Sequence, residues 1–340
     1  MAGLRYIQAE DPGINRRRQG RGFSYRDAQG RLLRDEATVA RIVGLAIPPA
    51  WRHVWICPDG RGHILATGED DRGRKQYLYH PKWRELRDLL NFYRLIVFAE
   101  HLPTIRAHVD KQLRRRTLDR ARVLAAMLRI IDASAIRVGS EEYAEDNDSF
   151  GLTTLTGKHA QVAAERIELC FPAKSGIRAE LSLTDRRVAR VIEQLKRQRT
   201  RRVFSVDGEP IDSAEINALL AQLSGAHVSA KDFRTWKGTL AAFGYLLEQS
   251  MDGRQPARAA IEAVDEAAEA LGNSRAVARA HYVHPHVLET LADQTFEGYL
   301  AASRPKRSAY LDEDEQALVA FLDVLLERQL HDLGWIRTGR

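Results

Sequence analysis

A tyrosine set among cations is the chemistry most visible in this chain. Tyr282 lies in Leu271–Pro285, LGNSRAVARAHYVHP, with Arg275, Arg279, His281 and His284 beside it in sequence. Positive neighbours favour the ionised form of a phenol, and an ionised phenol is a nucleophile. A lone tyrosine is more often an ordinary half-buried aromatic, so the weight falls on what the rest of the chain brings to it. Arg137, Lys174 and Arg234 stand out on separate elements upstream. Each has a plain structural alternative. Arg137 sits where a helix is expected to end, a position that favours a cation. Lys174 is at a hairpin tip, where lysines are commonly solvated turn residues, and Lys158 occupies a similar turn, so two lysines compete. Lys231 and Arg234 fall in the first turns of a predicted helix, where cations oppose the helix dipole. A structural role suits that pair less well than an anion site alongside the free N–H groups.

The elements that must position these groups follow from pattern. Around Tyr282, Gly272-Asn273-Ser274 opens a short helix that Ser274 can cap, and Pro285 limits its continuation. Upstream, Val123, Met127, Ile131 and Ala135 recur at helical spacing and face a core, with Gly139 as the stop and Arg137 in the last turn. Residues 150–183 read as β: a strand in FGLTTLTGKHAQV, a turn at Thr156–Lys158, a second strand, then ERIELCFP and GIRAELSL flanking the AKSG loop that carries Lys174. Beyond Thr184 the periods are helical, with Ser229 capping the Lys231/Arg234 segment. The tail is expected to form helices at 286–302 and about 313–331. Residues 1–88 form a different region. FSYRDAQGRLLRD reads as a hairpin about Asp-Ala-Gln-Gly, residues 37–48 as a short helix, and residues 50–80 as strands. RKQYLYH puts Gln76 on one strand face and Tyr77 and Tyr79 on the other, preceded by Arg74 and Lys75. The expected domains are therefore 1–88, β-rich, and 89–340, mainly α-helical.

Composition narrows the function classes. The chain has 340 residues, 44% of them hydrophobic, with a formal charge of +6. The excess is local: residues 1–90 hold 17 Lys+Arg against 11 Asp+Glu, and the remainder balances. A local basic excess is the footprint of a polyanion partner. No run is apolar enough to span a membrane, and the first residues lack a secretory apolar stretch. Cys57 and Cys170 sit apart and make neither a disulfide framework nor a metal cluster. A cytoplasmic protein without metal is expected.

Arg137, Lys174, Arg234 and Tyr282, in that order behind a basic β region, resemble the type IB DNA topoisomerases of the compact bacterial and poxvirus sort. RKQYLYH, IRVGSEEYAEDNDSFGLTTLTGKH, CFPAKSG, KDFRTW and LGNSRAVARAHYVHP carry the resemblance, from about Pro48 to Pro285. It implies an α+β fold: a small β-rich N-terminal domain and a larger helical catalytic domain that close around duplex DNA. It also implies roles: Tyr282 as nucleophile, Arg137 and Arg234 as phosphate binders, and Lys174 as general acid. Arg74, Lys75, Gln76, Tyr77, Tyr79, Tyr143, Lys158 and Lys231 become DNA contacts. Where poxvirus enzymes have a histidine nine residues before the tyrosine, this chain has Asn273, whose amide can donate to a phosphate oxygen but cannot titrate.

The implied reaction is relaxation of positive and negative supercoils. Two guanidiniums neutralise a phosphodiester's oxygens. Tyr282 attacks phosphorus and stays joined to the 3′ phosphate, and Lys174 protonates the departing 5′ oxygen. Strand rotation and reversal follow. The phosphotyrosine conserves the bond energy, so no ATP, metal or other cofactor is expected, and the protein is expected to act as a nucleoid-associated monomer. The nearest rival is a tyrosine recombinase, which usually carries His-x-x-Arg where this chain has Lys231-x-x-Arg234. A non-catalytic basic DNA-binding protein is the rival from another class.

Overall fold

The structure, a computed structural model, describes residues 3–332 apart from 21, 142, 143, 145–147, 226, 227 and 250–254. Tyr143 lies outside the described residues. The chain divides into two compact units, Met1–Asn91 and Phe92–Arg340.

The first unit is built on a five-stranded antiparallel sheet of order β2-β1-β3-β4-β5. Its strands are β1 (Ile14–Gln19), β2 (Gly22–Arg26), β3 (Arg52–Ile56), β4 (Ile64–Glu69) and β5 (Lys75–Tyr79). Helix α1 (Glu36–Gly44) is capped by Asp35, whose carboxylate accepts from the Thr38 N–H at 2.8 Å, and it ends before the Pro48-Pro49 pair. The expected Asp27–Gly30 turn exists, but it closes only an isolated Arg26–Leu32 bridge. The main hairpin here is β1–β2, because an arginine-rich strand, INRRRQ, carries no hydrophobic alternation to reveal it. Ile14, Ile42, Val54, Ile56 and Ala66 form the unit's main core.

The second unit has one large hydrophobic core. Helix α2 (Pro81–Leu113), whose residues to Asn91 belong to the first unit, leads to α3 (Arg120–Ser134), which is capped by Asp119. A three-stranded antiparallel sheet follows: β6 (Ala160–Ala163), β7 (Arg166–Pro172) and β8 (Arg178–Thr184). Ile167, Leu169 and Phe171 alternate inward along β7. Next come α4 (Arg186–Arg197), the small hairpin β9 (Ser205–Val206) and β10 (Glu209–Pro210), α5 (Ser213–Ser224), α6 (Ala230–Glu248), α7 (Pro256–Leu271) and α8 (Arg275–His281). The chain closes with α9 (Pro285–Ala292), α10 (Phe296–Ala302) and α11 (Glu313–Asp332).

Three local expectations are corrected. Helix α3 stops at Ser134, because Ala135 takes a left-handed conformation, φ 51°, without being glycine. Arg137 therefore lies beyond the helix rather than in its last turn. Residues 152–154 form a 3₁₀ turn, not a strand. The predicted 286–302 helix is two helices, broken where Asp293 accepts from the Thr295 N–H at 3.2 Å and hydroxyl at 2.6 Å. Such a local side-chain bond competes with helix continuation.

Candidate active site

Arg137 is placed by a contact between two distant glycines. A Cβ on Gly151 would lie 2.5 Å from the Gly139 nitrogen and 2.7 Å from the Arg137 carbonyl oxygen. With no side chain in the way, the segment after α3 lies flat on the 152–154 turn. The Leu152 N–H donates to the Arg137 carbonyl at 2.9 Å, and the Thr153 N–H to the Val138 carbonyl at 2.8 Å. Main-chain bonds of this kind leave the Arg137 side chain little choice of origin.

Asn273 is placed by the end of α7. Gly272, left-handed at φ 58°, stops that helix. The Asn273 N–H reaches back to the Ala268 carbonyl at 2.9 Å and the Gly272 N–H to Glu269 at 3.1 Å, the paired bonds of a Schellman stop. The Asn273 side-chain oxygen then accepts from Arg137 Nη2 at 2.6 Å. Its amide nitrogen is buried with no hydrogen-bond partner among the described residues.

Arg234 is 5% exposed on α6. Its guanidinium donates through Nη1 to the Ala135 carbonyl and through Nη2 to the Leu271 carbonyl at 3.2 Å. Those carbonyls close α3 and α7, so two helix C-termini, the negative ends of their dipoles, compensate the buried charge. Among the described residues no carboxylate pairs with Arg137 or Arg234. Arg234 Nε is also buried without an acceptor. Burying an ion without a counter-ion is costly, and dipoles in place of a carboxylate leave its positive charge available to an anion. At the N-terminus of its own helix, where an anion site was expected, two main-chain donors are already taken. There the Ala230 N–H donates to Asn217 Oδ1 at 3.0 Å, and Asp232 takes the Ser229 N–H at 2.7 Å while holding Arg94.

Tyr282 is the C-cap of α8, whose other end Ser274 caps by accepting from the Val277 N–H. The Arg234 guanidinium carbon stands 4.8 Å from the centre of the Tyr282 ring. Burial by itself would push the phenol up. The hydrogen bond and charge of Arg234 oppose it, Arg137 and Lys231 add to them, and the phenol ends below its ordinary value. Burial, with Arg137 adding, lowers Arg234 against the hydrogen bond and charge of Tyr282.

The structure therefore brings together Arg137, Asn273, Arg234 and Tyr282. Lys231 is exposed in the first turn of α6, near enough to act on the phenol through its charge. Lys174 is exposed in the turn joining β7 to β8, and with Arg137 and Arg234 it lines a cleft of about 340 Å³ whose walls include Phe150, Phe171 and Leu271. Lys158 is exposed in its own turn, where the His159 N–H closes on the Thr156 carbonyl at 2.9 Å. Of the flanking residues, Arg275 pairs with Asp265, and His284 is 4% exposed and caps α9. In the first unit Asp70 holds two of the expected DNA contacts, accepting from Arg74 Nε at 2.8 Å and Gln76 Nε2 at 2.9 Å. Hydrogen bonds from Arg74 outweigh its partial burial and bring that carboxyl down to about 2. Lys75 approaches Glu10 at 3.4 Å, and Tyr77 stacks on Tyr79 with ring centres 5.9 Å apart. Sequence reasoning read Gly139 only as a helix stop, and missed its contact with Gly151 and the two terminal carbonyls that hold Arg234. Only the glycine pair left a signal, since each stands beside a segment of the site.

A family model described as eukaryotic DNA topoisomerase I, catalytic core, matches residues 80–304, and one described as bacterial DNA topoisomerase IB, N-terminal domain, matches residues 22–70. DNA topoisomerase 1B of Acanthamoeba polyphaga mimivirus is 28% identical over 291 residues, 82% of this chain and 87% of its own. DNA topoisomerase 1B of vaccinia virus and DNA topoisomerase I of monkeypox virus are each 20% identical over 238 residues, 68% of this chain and 74% of theirs. Among solved structures, XerH site-specific recombinase bound to difH overlaps loosely, with a TM-score of 0.37 and 17% identity over 57% of this chain and 52% of that one. With most of its length matched by the catalytic core and part of its sheet by the bacterial N-terminal module, the chain belongs to the type IB DNA topoisomerases and is a DNA-isomerising enzyme.

Proposed function

We propose that this topoisomerase cleaves one strand of duplex DNA by attack of Tyr282 on a backbone phosphorus. The product is a 3′-phosphotyrosine, and the free 5′ end rotates before religation, so supercoils of either sign relax. The observation that carries this reading is a buried Arg234 guanidinium, with no carboxylate partner among the described residues, 4.8 Å from the centre of the Tyr282 ring; its charge favours the phenolate. An anion with several oxygens suits the donors left without an acceptor among the described residues, Arg234 Nε and the Asn273 amide nitrogen, together with the Arg137 guanidinium beside them. Guanidiniums of this kind bind more tightly as charge builds on phosphorus.

Lys174 supplies the proton that the 5′ oxygen needs to leave. Its place in the wall of a cleft that Arg137 and Arg234 also line suits a group that reaches toward the same phosphate. The phosphotyrosine holds the energy of the broken bond and the arginines supply the positive charge, so the reaction proceeds without ATP or metal. Arg74, Lys75, Gln76, Tyr77 and Tyr79 in the first unit, with Lys158 and Lys231 in the second, contact the duplex. The enzyme acts as a monomer on nucleoid DNA. The test is relaxation of supercoiled plasmid with EDTA present and ATP absent. Wild type relaxes it, while Tyr282→Phe binds the plasmid without relaxing it. Relaxation by the phenylalanine variant would reject Tyr282 as nucleophile.

A further inference from the structure

Helix α6 holds Tyr282 at both ends. One turn beyond Arg234, which meets the phenol, Gly238 and Thr239 meet the main chain that carries it. A Cβ on Gly238 would come within 2.8 Å of the Tyr282 carbonyl oxygen and 3.1 Å of the Tyr282 Cβ. Glycine inside a helix costs about 1 kcal/mol against alanine, and here it permits that approach. Thr239, fully buried, donates its hydroxyl to the Tyr282 carbonyl at 3.2 Å and accepts from the His284 N–H at 3.1 Å. Tyr282 is a helix C-cap, where a carbonyl has no partner within its own helix, and the chain turns there into α9. One hydroxyl, donor to one side and acceptor from the other, satisfies both main-chain groups that flank the residue.

We propose that Thr239 is a positioning residue for the reaction: its hydroxyl fixes the 282–284 main chain, and so aims the Tyr282 oxygen at phosphorus. This rests on Tyr282 being the nucleophile. In-line attack tolerates little misplacement, and a shift of about 1 Å can cost on the order of 100-fold. Valine has the shape of threonine but can neither donate nor accept. Serine keeps the hydroxyl.

The experiment follows covalent adduct formation by the full-length protein on a linear duplex in a single turnover, with DNA affinity measured in parallel. Thr239→Val is expected to bind as wild type does and to form adduct about 100-fold more slowly, while Thr239→Ser recovers most of the rate. A displaced phenol also loses its hold on Arg234. The pH at which the rate levels off should therefore rise in the valine variant and return in the serine variant, which a loss of general stability would not produce. Adduct at the wild-type rate in Thr239→Val, a serine variant as slow as valine, or an unmoved pH profile would each overturn the proposal. If the valine variant does not fold, Thr239→Ala removes the same hydroxyl, and adduct at the wild-type rate there counts against the proposal equally. Tyr282→Phe run alongside separates the two readings. Adduct in that variant rejects the nucleophile, whereas its absence beside a fast Thr239→Val rejects only the positioning role.

Discussion

The two arginines and the lysine of the site are held in opposite ways. Arg234 is 5% exposed and bonded to the ends of two helices. Arg137 leaves a main chain locked by a glycine–glycine contact and is tied to Asn273. Lys174 is exposed in a short turn between two strands. Fixed donors suit charge that must be stabilised wherever it develops, because they need no reorganisation as the reaction proceeds. A proton donor must instead reach an oxygen that departs, and an exposed hairpin imposes fewer constraints on that reach. In the proposed reaction the difference suits separate tasks on the two sides of phosphorus.

That division can be broken by mutation. The largest effects are expected at the buried side. Arg137→Ala and Arg234→Ala should each lose about 3–4 kcal/mol of transition-state stabilisation in the adduct-forming rate. Arg234→Lys should rescue little, since an ammonium cannot span the Ala135 and Leu271 carbonyls while holding the phenol. Lys174→Ala should also be slow on ordinary DNA, but it should recover on a duplex whose 5′ leaving atom is sulfur, which departs without a proton. The arginine variants should not recover there. Recovery by them, or none by Lys174→Ala, would erase the distinction between the two sides.

A smaller effect concerns pH. The Tyr282 phenol is held below its ordinary value, so its ionised fraction grows earlier as pH rises. On the sulfur-leaving duplex, where proton donation drops out, the adduct rate of Lys174→Ala should climb with pH and level off below about 10, the ordinary phenol value. A rate still climbing past that value would show that Arg234 does not favour the phenolate.

The smallest effects belong to the first unit. Arg74→Ala and Lys75→Ala should weaken DNA binding evenly across sequences and flatten the salt dependence by about one phosphate contact each. An unchanged slope would remove those residues from the interface, and would leave Asp70 and Glu10 as their working partners.

What the sequence disclosed about this site follows the range of the forces involved. Local patterns were legible: the Ser274 cap, the β7–β8 hairpin with Lys174 in its turn, and the helical periods of α3 and α7 all depend on neighbours within a few residues. Arg137 was expected in the last turn of α3 because Gly139 is the more usual left-handed stop, yet buried Ala135 takes that conformation instead. The 152–154 turn is closed locally by the Thr154 hydroxyl and the Gly151 main chain, but the approach of Gly139 to Gly151, twelve residues apart, was not visible in the sequence. Arg234 was legible as part of an anion site from its place in the first turns of a helix. Its actual setting against the carbonyls of Ala135 and Leu271 required the tertiary fold, since those helix ends lie 99 and 37 residues away.

The most direct measurement of the central claim is to digest the covalent complex formed on duplex DNA and locate the attached nucleotide by mass spectrometry. The account predicts a single modified peptide, with the phenolic oxygen of Tyr282 joined to a 3′ phosphate and a free 5′ hydroxyl on the other DNA end. A nucleotide attached to any other side chain, or through a 5′ phosphate, would contradict it.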